Sequence, residues 1–401
     1  MSEIEKIIFR KVFDSRGNPA VECDVLVEGG AWGRCSAPSG ASVGRWEAVA
    51  YPKNVDEAIA FAKKNLVQRL MGIDAEDQEQ VDAVLREVDG TRNFARLGGN
   101  VAVAVSIACA KAAARANGEE LYAHLGEGRS FPLPLSKIIG GGKHAHNASD
   151  IQEFLAVPVS ARTLYDAIDA NVRVHKLTAK LIVAKTNQAL GRDDESGWVA
   201  KLKTTHALDI LSKACEKVSR ETGVVVKPAL DIAASSLFDG KKYVYRLDKK
   251  KLSKEQQIEF VEKLIDDYDL AYVEDPLHEE DFDGFAELTR RAGDCIVCGD
   301  DIFVTNANRL ERGAHHGSGN AVIIKPNQIG TLTDLRKTIE TAEEHEYEKI
   351  ASHRSGETCD TAIAHIAVAF GCRMLKTNVV GGERNEKFNE LIRIGEKLRW
   401  L

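Results

Sequence analysis

Six short apolar stretches recur along the second part of the chain, and each runs into a residue that is charged or titratable. Val224–Leu230 leads to Asp231, Leu270–Val273 to Glu274, Cys295–Cys298 to Asp300, Ala321–Ile324 to Lys325, Lys349–Ser352 to His353, and Arg373–Leu375 to Lys376. Segments this short and this apolar read as buried strands, and the helical patterns between them supply the crossovers that parallel strands require. From Glu274 onward the spacing is about that of one strand-helix unit, which predicts a (β/α)8 barrel. The C-terminal strand ends of such a barrel converge on one face, so these residues become neighbours around a central pocket.

The earlier part follows a different rhythm. Ile4–Asp14, Ala20–Val27 and Ala31–Ser36 predict a three-stranded meander, with turn chemistry at Ser15-Arg16-Gly17-Asn18-Pro19 and Gly29-Gly30. Helices are expected over Val55–Leu70, Asp74–Val88 and Val101–Asn117, the last apolar on nearly every face and closed by Gly118. The expected fold class is therefore α/β: a smaller α+β domain over residues 1–128 and a barrel over 129–401, divided near the polar stretch ahead of Phe131-Pro132-Leu133-Pro134.

With 401 residues, there is enough chain for a sizeable core in each domain. A net charge of −7 leaves no long-range attraction for nucleic acid, so no nucleic-acid partner is expected and anionic ligands must be captured locally. The start of the chain has no apolar signal core, and no apolar run reaches the ~18 residues of a membrane span, which predicts a cytoplasmic protein with no membrane partner. Eight thinly spread cysteines suit buried thiols better than a disulfide framework, and Cys295-Ile-Val-Cys298 has no second pair to complete a zinc site.

Asp231, Glu274 and Asp300 would repel one another at one barrel mouth, and a hard divalent cation such as Mg²⁺ is the usual remedy. Singly, each carboxylate could equally cap a helix or make a surface ion pair. Lys325, ending an apolar strand, is expected to have its pKa lowered by burial and nearby positive charge, which would free an amine to act as a base. Lys376 would reach the same pocket, and two lysines facing three carboxylates suit an anionic substrate. In His353-Arg354-Ser355-Gly356-Glu357-Thr358 a guanidinium and a hydroxyl precede a helical run, an arrangement suited to phosphate. Lys143-His144-Ala145-His146-Asn147 follows three glycines and looks like a closing lid. Gly140–Ala145 also fits a dinucleotide-loop pattern, but a strand-like segment, Phe154–Val157, follows where a helix is needed; Lys137 and His144 exclude a Walker loop.

These residues resemble the enolase family, over the whole length. The resemblance is carried by Pro38-Ser39-Gly40-Ala41-Ser42, Gln152-Glu153-Phe154, Leu230-Asp231-Ile232-Ala233-Ala234-Ser235, Glu274-Asp275-Pro276, Gly299-Asp300-Asp301, Lys325-Pro326-Asn327-Gln328-Ile329-Gly330-Thr331 and Ser352–Thr358. It implies that Asp231, Glu274 and Asp300 hold one Mg²⁺, and that Ser42, on a mobile loop, helps bind a second that arrives with a small phosphorylated carboxylic acid. It further implies that Lys325 takes the α-proton of 2-phosphoglycerate and that Glu195 protonates the departing hydroxyl. Glu153 stands beside Glu195, while His144, Gln152, His353, Arg354, Ser355 and Lys376 hold substrate; the product would be phosphoenolpyruvate. A homodimer, or an octamer of dimers, is the expected assembly.

The chain departs from the family pattern at Asp193-Asp194-Glu195-Ser196-Gly197-Trp198-Val199-Ala200, where Gly-Asp-Glu-Gly-Gly, an aromatic, Ala and Pro are usual. Trp46 and Asn378 also stand where other residues are usual, Asn378 in place of Gly. Two alternatives remain at this point: a related barrel enzyme acting as dehydratase or racemase on another carboxylate, and a binding protein that kept the fold without turnover.

Overall fold

The computed structural model describes residues 2–40, 44–128, 130–145, 148–187 and 189–401. Ile4–Phe13, Pro19–Val27 and Trp32–Ser36 form the expected antiparallel meander. The meander packs on the helix Gly99–Ala116, buried along nearly its whole length, and Gly33 allows that approach: a Cβ there would lie 1.8 Å from the Ala108 carbonyl oxygen. The stretch expected as one helix over Val55–Leu70 is two, Val55–Asn65 and Val67–Leu70, and the next helix starts at Gln78, where the Asp77 side chain accepts the Gln80 N–H.

Eight strands then close a barrel in the order Leu133–Gly140, Glu153–Pro158, Val226–Asp231, Tyr272–Glu274, Ile296–Gly299, Ala321–Ile324, Glu348–Ser352 and Met374–Thr377, the last pairing back with the first. The six sequence-read strands appear within a few residues of their expected bounds. The first barrel strand, Leu133–Gly140, was not legible as one, because prolines flank its start and Lys137 interrupts its apolar run. Leu155, Val157, Ala229, Tyr272, Ile323 and Ile350 are among the residues that fill the interior as a packed plug.

The second strand runs antiparallel to both neighbours, whereas all other barrel pairings are parallel. A hairpin joins it to the first strand without a helical crossover, so its first residue, rather than its last, stands at the mouth. Glu153 is that residue, paired in register with Asp231.

The first domain covers this face. Ser39 and Gly356 exchange backbone hydrogen bonds at 2.8 Å each, the Asn327 side chain donates to the Pro38 carbonyl at 3.1 Å, and Arg354 forms a buried ion pair with Glu47 at 2.9 Å. Among the described residues no helix is long and apolar enough to cross a membrane. All eight cysteines are free, and Cys295 and Cys298 are buried, as core thiols should be.

Candidate active site

Each strand ends where the apolar interior gives way to the mouth, so the polar residue that follows is held by a rigid strand and yet reaches a cavity. That cavity is bordered by His144, Gln152, Glu153, Glu195, Asp231, Asp300, Lys325, His353, Arg354, Ser355 and Lys376. Glu274 is fully buried behind it. Ser42, His146 and Asn147 lie outside the described residues.

On the base side, ammonium groups are interposed between carboxylates. Lys376 Nζ donates to Asp231 Oδ2 at 2.9 Å and to Glu274 Oε2 at 2.7 Å, and stands 3.3 Å from Glu153 Oε2. Lys325 Nζ donates to Asp300 Oδ2, while Gln328 donates to Asp300 Oδ1 at 2.9 Å. The expected lowering of the Lys325 pKa is not what this environment produces. Burial is the largest single influence and pulls the ammonium down, but the surrounding carboxylates, Asp300 first and then Glu274, together outweigh it, and the net shift is upward.

The carboxylates carry a surplus of negative charge even so. Burial, reinforced by the charge of Asp231, pushes Glu274 up to about 8 although Lys376 opposes it, and Glu274 Oε1 is buried without a hydrogen-bond partner. A cation shared by these hard oxygen donors would relieve both conditions, so the residues fit a magnesium ion. Two other sets among the described residues have ligating atoms within 4.8 Å of one another: Asp275, Asp300 and Asp301, and His144, Glu153 and Glu195. The three strand-end carboxylates are not drawn together that tightly, with lysines standing among them. Asp275 was missed from sequence; its carboxylate accepts the N–H groups of Asp300 at 3.0 Å and Asp301 at 2.8 Å and so orients the Asp300 turn.

The acid side is a second cluster. Glu195 Oε2 accepts from Lys137 Nζ at 2.8 Å and lies 3.2 Å from His144 Nδ1, and Lys137 also pairs with Asp193 at 2.9 Å. Burial would raise the Glu195 pKa, but the His144 ring and the Lys137 ammonium hold it well below the ordinary carboxylate range. Burial raises Glu153, Lys376 pulls it back, and the charge on Glu195 adds to the rise, leaving it at about 7. The two acids are thus driven apart, one to release its proton and one to keep it. Neither Lys137 nor Asp193 was found from sequence. The one available signal was a lone lysine inside an otherwise apolar strand.

His353, Arg354 and Ser355 form the third wall. Arg384 Nη1 donates to His353 Nδ1 at 2.9 Å, and burial together with the Arg384 charge holds the imidazole well below its usual range, hence neutral. The Arg354 guanidinium donates to Asn327 Oδ1 at 2.9 Å and to Glu47, fixing its plane.

A capped eight-stranded barrel, with acidic and ammonium groups interleaved at its mouth, defines a protein that handles small anions by proton transfer. Residues 4–125 match the family model "Enolase, N-terminal domain", and residues 129–400 match "Enolase, C-terminal TIM barrel domain". Relatives named Enolase extend the match over the full length. That of Methanothermobacter thermautotrophicus is 52% identical, covering 99% of this chain and 97% of the relative. Those of Halorubrum lacusprofundi and Methanocorpusculum labreanum are each 48% identical, covering 99% of this chain and 99% and 100% of the relative. The chain belongs to the enolase family.

Proposed function

We propose that this protein catalyses the magnesium-dependent, reversible dehydration of 2-phospho-D-glycerate to phosphoenolpyruvate, a hydro-lyase reaction of glycolysis and gluconeogenesis. The observation that carries the reading is the pairing of Lys325 with Asp300 and of Lys376 with Asp231 and Glu274 within one cavity, facing a separate acid cluster around Glu195. Full-length kinship with enolases supports the substrate.

In this reading Asp231, Glu274 and Asp300 hold one magnesium ion, and Ser42 contributes to a second that binds with substrate. The metal supplies positive charge beside the substrate carboxylate, where negative charge builds as the neighbouring C–H bond breaks. Lys325 Nζ accepts the α-proton. A cation held by these carboxylates would take up charge from Asp300, weakening the contact that now holds Lys325 protonated and making its amine available. Lys376, buried among Asp231, Glu153 and Glu274, keeps a fixed positive charge toward the carboxylate end. Arg354 and Ser355 bind the phosphate, neutral His353 and Gln152 fix its orientation, and His144 closes over the acid side. Glu195 rests ionised while the neighbouring Glu153 keeps a proton, so Glu153 supplies the proton that Glu195 delivers to the departing hydroxyl.

The domain division is placed at residues 128 and 129, which the family matches ending at 125 and beginning at 129 support. A cytoplasmic location and a homo-oligomeric state, dimer or octamer, belong to the same reading; light scattering measures the latter. The direct test is phosphoenolpyruvate formation from 2-phosphoglycerate, followed by ultraviolet absorbance with and without chelator. Turnover that stops with chelator and returns with Mg²⁺ is expected, and well-folded protein with no turnover in excess Mg²⁺ would overturn the reading.

A further inference from the structure

Lys137 lies on the first barrel strand with its side chain only 1% exposed, and the carboxylate it pairs with, that of Asp193, is 0% exposed. The Lys137 ammonium touches four polar neighbours: Asp193 Oδ2 at 2.9 Å, Glu195 Oε2 at 2.8 Å, His144 Nδ1 at 2.8 Å and, more distantly, Glu153 Oε1 at 3.8 Å. Asp193 grips the turn that carries Glu195, its Oδ1 accepting the N–H groups of Glu195 at 3.0 Å and Gly197 at 2.9 Å. From the last barrel strand's end, Asn378 Nδ2 donates to the carbonyls of both Lys137 and Glu195, each at 2.8 Å.

These residues fit one another sterically as well as electrostatically. A Cβ on Gly140 would lie 1.8 Å from Asp193 Oδ2, and one on Gly197 would lie 3.1 Å from Lys137 Cγ and Cε. The side chains at 137 and 193 therefore need the bare backbone at 140 and 197. Asp193 and Asn378 both stand where the family pattern has glycine, and these two departures meet in one place, around the acid. In this chain a braced ion pair occupies the space behind the Glu195 turn.

We propose that Lys137, Asp193 and Asn378 are positioning residues for Glu195, holding its Oε2 so that Oε1, which takes part in neither contact, is the oxygen presented to the departing hydroxyl. The inference rests on the reading of Glu195 as the acid of the dehydration. Deprotonation by Lys325 comes first and does not need Glu195, so exchange of the substrate α-proton with solvent deuterium reports on the base side alone, while phosphoenolpyruvate formation needs both sides.

The test compares Lys137→Met combined with Asp193→Asn, which removes both buried charges together, with the unaltered enzyme and with the same pair of changes in a Glu195→Gln background. The expected result is a kcat for phosphoenolpyruvate formation lower by roughly ten- to hundred-fold, with KM within about three-fold and exchange near its original rate. In the Glu195→Gln background the same changes should add less than about three-fold, since interacting residues are not additive. Asn378→Ala, which removes only the two carbonyl bonds, should move the ratio of dehydration to exchange the same way by a few-fold and guards against poor folding of the other variant. Unaltered dehydration in Asn378→Ala or in the folded double variant, or an equal fall in exchange and dehydration, overturns the proposal. So does a full additional loss in the Glu195→Gln background. If Glu195→Gln alone dehydrates at the original rate, the acid reading falls and the proposal with it, a failure told apart from that of the pair because Glu195→Gln is otherwise slow.

Discussion

On one side of the cavity Lys325 meets Asp300 at the ends of adjacent parallel strands, and on the other Glu195 stands on a short turn between Arg192 and Trp198. The base side is fixed by the barrel itself: each group ends a strand, so closing the barrel sets their separation. The acid side is fixed by side chains, with Asp193, Lys137 and Asn378 doing for the turn what strand pairing does for Lys325. A group placed by the sheet tolerates little variation around it, whereas one placed by a loop can be held by more than one set of neighbours.

If that contrast is right, variants on the two sides should fail differently. Lys325→Ala removes the base, and kcat should fall by about four orders of magnitude or more, the upper range for general-base loss, measured as phosphoenolpyruvate formation at saturating substrate and Mg²⁺. Glu195→Gln should cost less, roughly 10²–10³-fold, in the same assay. Farther out, Arg86 joins the two domains by donating to Asp334 Oδ2 at 2.8 Å and to the Ile329 carbonyl at 3.2 Å while lying over Phe94. Arg86→Ala should lower unfolding free energy by about 1–2 kcal/mol, read from urea denaturation, with little change in kcat.

The smallest effect concerns pH. Burial pushes Asp82 up to about 6, against hydrogen bonds from Thr333 N at 2.8 Å and Thr333 Oγ1 at 2.7 Å. The folded state binds this proton more tightly than the unfolded chain does, so the group's contribution is fully present below the ordinary carboxylate value near 4 and is lost as pH rises through about 6. Asp82→Asn should therefore flatten the stability profile between pH 4 and 7, measured as Tm against the unaltered protein; an unchanged profile would show that Asp82 ionises at its ordinary value.

The base side was legible because its signals are local: an apolar strand and then a charged residue, repeated at unit spacing. Asp231, Glu274, Asp300, Lys325, His353 and Lys376 were all read that way and all gather at the mouth. The antiparallel second strand was not legible, since a sequence shows where Glu153 falls but not which end of its strand faces the cavity. Lys137 was hidden for a related reason: its partners Asp193 and Glu195 are brought to it only by folding. The charge state of Lys325 went the other way from expectation, because sequence gives burial but not the carboxylate that happens to be nearest.

The central claim is that proton removal and hydroxide departure are served by opposite walls of one cavity. Following incorporation of deuterium at the α-carbon of 2-phosphoglycerate by NMR, in Mg²⁺ and D₂O, tests it most directly. Glu195→Gln should still exchange that proton while making little phosphoenolpyruvate, and Lys325→Ala should do neither. Exchange that persists in Lys325→Ala, or vanishes in folded Glu195→Gln, would contradict the division of labour.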